Sequence, residues 1–186
     1  MKTIHLYAIL LLLCFSTQIF SQTKSISLDN SDLKWTGKAA FSTYALTGNL
    51  AFKHGEVTIK NDSIIDLVIS VDMTSLEHEN KTLKSHLRSE DFFEVKTYRT
   101  ATFKLSQSSK IGNGPFEVVG YLTIKDITKL KKFSVALNND YSILSFNIGI
   151  DRTEYVVTFN SPSFYEKLKE DAIADIFNLA GSIEFH

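Results

Sequence analysis

Apolar and polar residues alternate one by one through most of this chain. Ala101, Phe103 and Leu105 alternate with Thr102, Lys104 and Ser106, and Phe116, Val118, Leu122 and Ile124 share one parity with Gly120 at the break. Phe133, Val135 and Leu137 alternate with Ser134 and Ala136, and Leu144, Phe146, Ile148 and Ile150 with Ser145, Asn147 and Gly149. Ile65, Leu67, Ile69, Val71 and Met73 form a further line. A period of two belongs to a strand with one buried face, because successive side chains point to opposite sides of a sheet. Turn-forming clusters at 61–62, 111–115 and 138–140 separate the runs.

The pattern predicts a mainly β fold in which a single antiparallel sheet curls over its own apolar side. At about eight strands such a barrel is just wide enough to be filled by side chains or to hold one small ligand. Two stretches break the period and predict short helices. Thr74-Ser75-Leu76-Glu77 has the form of a capping box, after which Leu76, Leu83 and Leu87 share a helical face and Glu77 stands four residues before Lys81. Ser163 to Lys169 is the second. The first helix is expected to close one end of the barrel.

The first 21 residues read as a signal peptide rather than as part of the fold. Met1-Lys2 supplies a positive start, Leu6 to Phe15 is nearly all apolar, and polar residues lead to Ser21-Gln22. The apolar run is shorter than the roughly 20 residues needed to span a bilayer. This leaves residues 22–186 as one domain, without linker, repeat or low-complexity tract. Cys14 is the only cysteine and lies inside the leader, so the mature domain carries no disulfide and no thiol chemistry. Acylation at Cys14 is disfavoured, because Leu11-Leu12-Leu13 lacks the small residues expected before a lipidated cysteine. An exported domain held together without disulfides points to a bacterial periplasm. The chain's 20 basic and 21 acidic residues leave it near neutral, with no basic excess for nucleic acid.

Candidate chemistry is sparse. His54, His78, His86 and His186 lack metal-ligand spacing, and the glycines form no phosphate loop. Ser89-Glu90-Asp91 beside His86 reads as a polar helix end rather than a hydrolytic cluster, Asp151-Arg152 as a strand-end ion pair, and Lys125, Lys129, Lys131 and Lys132 as a solvated hairpin tip. The informative block is His86-Leu87-Arg88-Ser89-Glu90-Asp91-Phe92-Phe93. It has the look of a lid anchored by two aromatics, one entering the core and the other covering a rim.

That block resembles part of the YceI-like family. So do Trp35-Thr36-Gly37, the run from Val71 to Leu76, Ala101-Thr102-Phe103, the run from Gly120 to Lys129, and Ile150-Asp151-Arg152-Thr153. Two departures stand out: Tyr44-Ala45-Leu46-Thr47-Gly48 replaces a usual His and Gly, and Arg99 follows Tyr98 where proline is usual. The resemblance implies an extended lipocalin-like barrel in the periplasm that binds, stores or transports a polyisoprenoid or similar long amphiphile without catalysis. No cofactor or metal is implied beyond the lipid itself. The candidate lining residues are Trp35, Leu67, Ile69, Val71, Leu83, Leu87, Phe92, Phe93, Phe103, Leu105, Phe116, Val118, Leu122, Phe133 and Phe146. A solid-cored interaction domain and a lipid-modifying enzyme are the alternatives. Of the 14 phenylalanines, Phe15 and Phe20 fall in the leader, and the other 12 serve a filled core and a lined cavity equally well. Peripheral membrane contact and a homodimer stay open.

Overall fold

The computed structural model describes residues 21–168 and 171–186; the expected signal peptide up to residue 20, with Cys14, lies outside the described residues. The strands are β1 (Gln22–Ser25), β2 (Asp32–Lys38), β3 (Ala45–Lys60), β4 (Ser63–Glu77), β5 (Thr100–Leu105), β6 (Ser109–Lys110), β7 (Phe116–Ile124), β8 (Ile127–Leu137), β9 (Ile143–Asp151) and β10 (Ile176–Glu184). One α-helix, α1 (Lys81–Leu87), and short 3-10 turns at Leu28–Asn30 and Arg152–Tyr155 complete the described elements.

Eight strands close an antiparallel barrel in the order β3-β2-β10-β9-β8-β7-β5-β4, with β4 pairing back to β3. Strands β3 and β4 are the longest, at 16 and 15 residues. Each serves two neighbours along one edge: β3 pairs with β2 and then β1, and β4 with β5 and then β6. Closure removes the exposed edges of an open sheet. The hairpin turns at Asn61-Asp62 and Lys125-Asp126 put both central residues at positive φ, the geometry that matches strand twist in a two-residue connection.

The expected alternation holds on β5, β7, β8 and β9 and fails at the start of β4. The register jumps between Thr58 opposite Asp66 and Ile59 opposite Ile64. This bulge adds a residue and reverses the parity, so Ile64 is fully buried and Ile65, expected inside, is exposed.

The anticipated capping box is not one. Thr74 to Glu77 remain in β4, and α1 begins only at Lys81. Its N-cap is Asn80, whose side-chain oxygen accepts from Leu83 N at 3.0 Å. Leu76 therefore points inward from a strand rather than lying on the helix, and Glu77 pairs with Lys84 at 2.9 Å instead of Lys81. Where a second helix was expected, Phe164 N and Tyr165 N both donate to Ser161 O, closing a single turn.

Strand direction gives the barrel two unlike ends. One carries the short turns 61–62 and 138–142 and the segment 106–115. The chain ends also meet there: Ser25 N donates to His186 O at 3.0 Å and His186 N returns to Ser25 O at 2.9 Å. Val57, Ile59, Ile64, Leu105 and Phe116 fill this sealed end. The other end carries the two long insertions, 78–99 and 152–175, which fold over the opening as lids.

Candidate functional site: the barrel interior

The first lid is fastened on two sides. After α1 the chain runs as turns, so strand alternation does not apply, and Phe92 and Phe93 both face the barrel interior. This corrects the expectation that one would remain at the rim. Phe92 is 4% exposed and packs its ring 5.4 Å from Phe159 and 5.0 Å from His86. Phe93 meets Phe177 edge-on at 5.9 Å. The Arg88 guanidinium, at the C-cap of α1, donates to Thr74 O at 2.7 Å and Leu76 O at 3.2 Å, tying the lid to β4.

Lys125 Nζ donates to Phe92 O at 3.0 Å, tying the lid to the β7–β8 turn, while Lys131 pairs with Glu154 and Lys132 with Glu117. Three of the four lysines read as a solvated tip are thus committed to protein partners. Ser89 Oγ donates to His86 O, and no hydrolytic arrangement forms with Asp91, which pairs with His86 at 3.3 Å.

The second lid is organised by Arg152, which is 3% exposed. Its Nε, Nη1 and Nη2 donate to the carbonyls of Ala174, Val157 and Ile173 at 3.1, 2.7 and 2.9 Å. Its ion-pair partner is Asp175 at 3.8 Å, not the adjacent Asp151. Asp151 instead caps the turn that follows, accepting from Thr153 N and Oγ1. Burial lowers the Arg152 pKa, opposed by the nearby Asp175 and Asp151. The planar fork suits this role, because its fixed donors meet several carbonyls at once.

Beneath the lids lies a cavity of about 180 Å³. Of the sequence-derived candidates, β2 contributes Trp35, β4 contributes Leu67, Ile69 and Val71, and the first lid contributes Leu87, Phe92 and Phe93. Phe103, Val118, Leu122, Phe133 and Phe146 come from β5, β7, β8 and β9. Three candidates lie elsewhere. Leu105 and Phe116 belong to the packed sealed end, and Leu83 rests against the cluster of Trp35, Leu76 and Leu87. The barrel is solid at one end and hollow toward the other.

Leu50, Phe52, Ile148, Phe177, Leu179 and Arg152 also line the cavity. Phe177 and Leu179 carried an available signal, since Phe177, Leu179 and Ile183 share a parity on β10. Arg152 is the charged residue among them, in a wall that is otherwise almost wholly apolar. Among the described residues no group of three or more His, Cys, Asp or Glu is placed to hold a metal ion. Two glycines give the wall its shape by admitting a ring where a side chain would stand. Gly48 lies beneath the indole of its cross-strand partner Trp35, and Gly120 beneath the ring of Phe103.

Comparisons agree with this architecture. The chain is 35% identical over 92 residues to a UPF0312 protein of Vibrio parahaemolyticus, a match spanning 50% of this chain and 45% of that relative. A UPF0312 protein of Vibrio cholerae El Tor is 39% identical over 69 residues, 37% of this chain and 36% of the relative. The matched stretches thus cover less than half of these curated relatives.

Among solved structures, BcnA of Burkholderia cenocepacia superposes with a TM-score of 0.68 at 19% identity, over 85% of this chain and 98% of that one. A polyisoprenoid-binding domain from Saccharophagus degradans gives 0.62 at 12% identity, over 88% and 97%. At these identities the likeness is one of fold. The YceI-like domain profile matches residues 25–185, from the end of β1 to the residue after β10, and this chain belongs to that family.

Proposed function

We propose that this protein is an exported, non-catalytic container for a long-chain amphiphile, a polyisoprenoid or similar lipid, which it holds or carries in the periplasm. The observation that carries this reading is the cavity itself: it is lined almost wholly by apolar side chains and roofed by two fastened lids. Each buried methylene contributes roughly 0.8 kcal/mol, so a tail of many carbons binds tightly without a dense set of polar contacts. The polyisoprenoid binding named for the Saccharophagus domain, on the same fold, supports the choice of ligand.

At about 180 Å³ the cavity falls below the roughly 300–1,000 Å³ of typical ligand pockets. A long tail therefore enters by displacing rings that now meet inside the barrel and under the lid. The pairs are Phe103 with Phe133, 5.7 Å apart, and Phe93 with Phe177, 5.9 Å apart. Phe41, Tyr44 and Phe164 are exposed on the loops of the lid end, and aromatics of this kind favour a membrane–water interface, which supports loading from a membrane surface. Cleavage after Ser21 and release of the mature domain into the periplasm complete the proposal.

Mass spectrometry of protein extracted gently from its native host tests it. A co-purifying long-chain lipid in stoichiometric amount, on a chain beginning at or near Gln22, is the expected result. Lipid-free protein that also takes up no long-chain lipid in titrations would overturn the container.

A further inference from the structure

The barrel wall is not paired along its whole height. Strands β8 and β9 pair only where Val135, Ala136 and Leu137 meet Phe146, Ser145 and Leu144, beside the 138–142 turn at the sealed end. Toward the lids, Ile127 to Ser134 stay paired with β7 and Asn147 to Asp151 with β10, but these two runs do not pair with each other. Had the register continued, Phe133 would stand opposite Ile148 and Lys132 opposite Gly149. The unpaired part of β8 has the composition of an edge. It carries Lys129, Lys131 and Lys132, and lysines commonly guard a free edge against further pairing.

This seam leads to the cavity rather than to packed core: Phe133 from one bank and Ile148 and Ile150 from the other line the cavity. Among the described residues one ion pair crosses it, Lys131 on β8 with Glu154 in the turn after β9. The two lids belong to opposite banks. Arg88 and Lys125 tie the first lid to β4 and to the β7–β8 turn. The second springs from β9 and is held beside β2, where Ala40 N donates to Ala172 O and Ala174 N to Lys38 O. Where the lids meet, Phe92 lies 5.4 Å from the Phe159 ring and 6.0 Å from the Arg152 guanidinium. Lifting either lid would break the hydrogen bonds that fasten it. Parting β8 from β9 would break the ion pair and the ring contacts and leave those bonds in place.

We propose that the seam between β8 and β9 is a side entrance through which the ligand reaches the barrel interior, and that Lys131 and Glu154 form its latch. The inference rests on the container reading and adds to it a route. A part-exposed ion pair suits a latch, because it holds weakly and yields without unfolding the sheet.

Stopped-flow uptake and release of cis-parinaric acid, a long-chain acid that fluoresces in apolar sites, tests it on the mature protein. Glu154→Gln should speed both uptake and release about two- to fivefold, the scale of one such ion pair, and leave the equilibrium affinity unchanged. Lys131→Glu should do the same, and adding Glu154→Lys should restore slow exchange. Residues 22–186 contain no cysteine, so a reactive pair can be placed at chosen positions. Lys132→Cys with Gly149→Cys, joined by a short bismaleimide, should slow both rates about tenfold or more, as a closed gate does. Joining α1 to β4 in the same way, through Glu77→Cys and Lys84→Cys, should leave the rates unchanged. Should the cysteine variants not fold, the charge variants decide. Rates unmoved by Glu154→Gln, or slowed by the α1 crosslink and not by the seam crosslink, overturn the side entrance and leave the container standing. A protein that neither binds the probe nor carries a lipid overturns the container and the entrance with it.

Discussion

The ring of Phe103 occupies the space that a side chain on Gly120 would need. A methyl group at position 120 would stand 2.5 Å from Phe103 Cζ and 2.5 Å from the carbonyl oxygen of Lys104. Because Gly120 leaves this gap, the Phe103 ring crosses over β7 and comes within 5.7 Å of Phe133 on β8. One absent side chain thus allows two strands that are not neighbours to meet inside the barrel.

Gly120→Ala is therefore expected to destabilise the barrel by about 1–3 kcal/mol, as overpacked cores do, lowering Tm by several degrees in a thermal melt. Phe103→Ala alone should also cost stability. In the double variant the two losses should add to less than their sum, because the ring that clashes is gone. Strict additivity in that cycle would show that the backbone contact at Lys104 dominates.

The two lid aromatics should separate in their effects. Phe92 is almost fully buried and ringed by His86, Phe93 and Phe159, so Phe92→Ala is expected to cost about 3–5 kcal/mol of stability. Phe93 is less buried and faces the cavity across from Phe177. Phe93→Ala should cost less in a denaturant melt and accelerate release of a bound fluorescent lipid. Equal stability losses with unchanged release would make both residues core alone.

Space at the cavity wall gives a further test. Val118 is 2% exposed yet borders the cavity. Val118→Trp should place its indole in that space, leaving Tm within a few degrees of the parent while lipid affinity falls in titrations. A stability loss of about 1–3 kcal/mol with affinity intact is the signature of overpacking in a solid core, and would mean that ligand does not reach this depth.

Tyr155 makes stability depend on alkaline pH. Burial pushes its pKa up to about 12 in the fold, with Glu154 adding to the shift, from an ordinary value of 10.0. The unfolded chain therefore loses this proton first as pH rises. The stabilisation is complete below pH 10 and drains away between pH 10 and pH 12, at up to about 1.4 kcal/mol per pH unit. Tyr155→Phe should flatten that part of the stability curve. Because the buried hydroxyl has no partner, the same substitution should be neutral or stabilising at pH 7. Denaturant midpoints for both proteins from pH 7 to pH 12 measure it.

What sequence reveals here divides by range. Parity on β5, β7, β8 and β9 is a local property, so the inward faces carrying Phe103, Val118, Leu122, Phe133 and Phe146 were readable from the alternation. The bulge that turns Ile65 outward depends on how β3 and β4 align across the pair, which no single strand encodes. The same holds for Arg152: its neighbour in sequence is Asp151, while its partner Asp175 arrives from the far side of the second lid. The division of the aromatics into a packed sealed end and a hollow lid end was equally hidden. Leu105 and Phe116 have the same parity as cavity residues and differ from them only in height along the barrel axis. Asn80 was masked by Thr74, whose spacing to Glu77 imitates a cap while its backbone is still paired as a strand.

The paired backbones of Ser25 and His186 have a mechanical meaning. Both strands that lead to the termini come together at the sealed end, on the side of the barrel away from the lids. A chain held by a segment joined before residue 22, or by a fusion after residue 186, stands with its mouth turned outward from the point of attachment. Surface immobilisation through either terminus would therefore leave the opening free to exchange cargo, whereas a tether placed in 39–44 or 152–175 would block it.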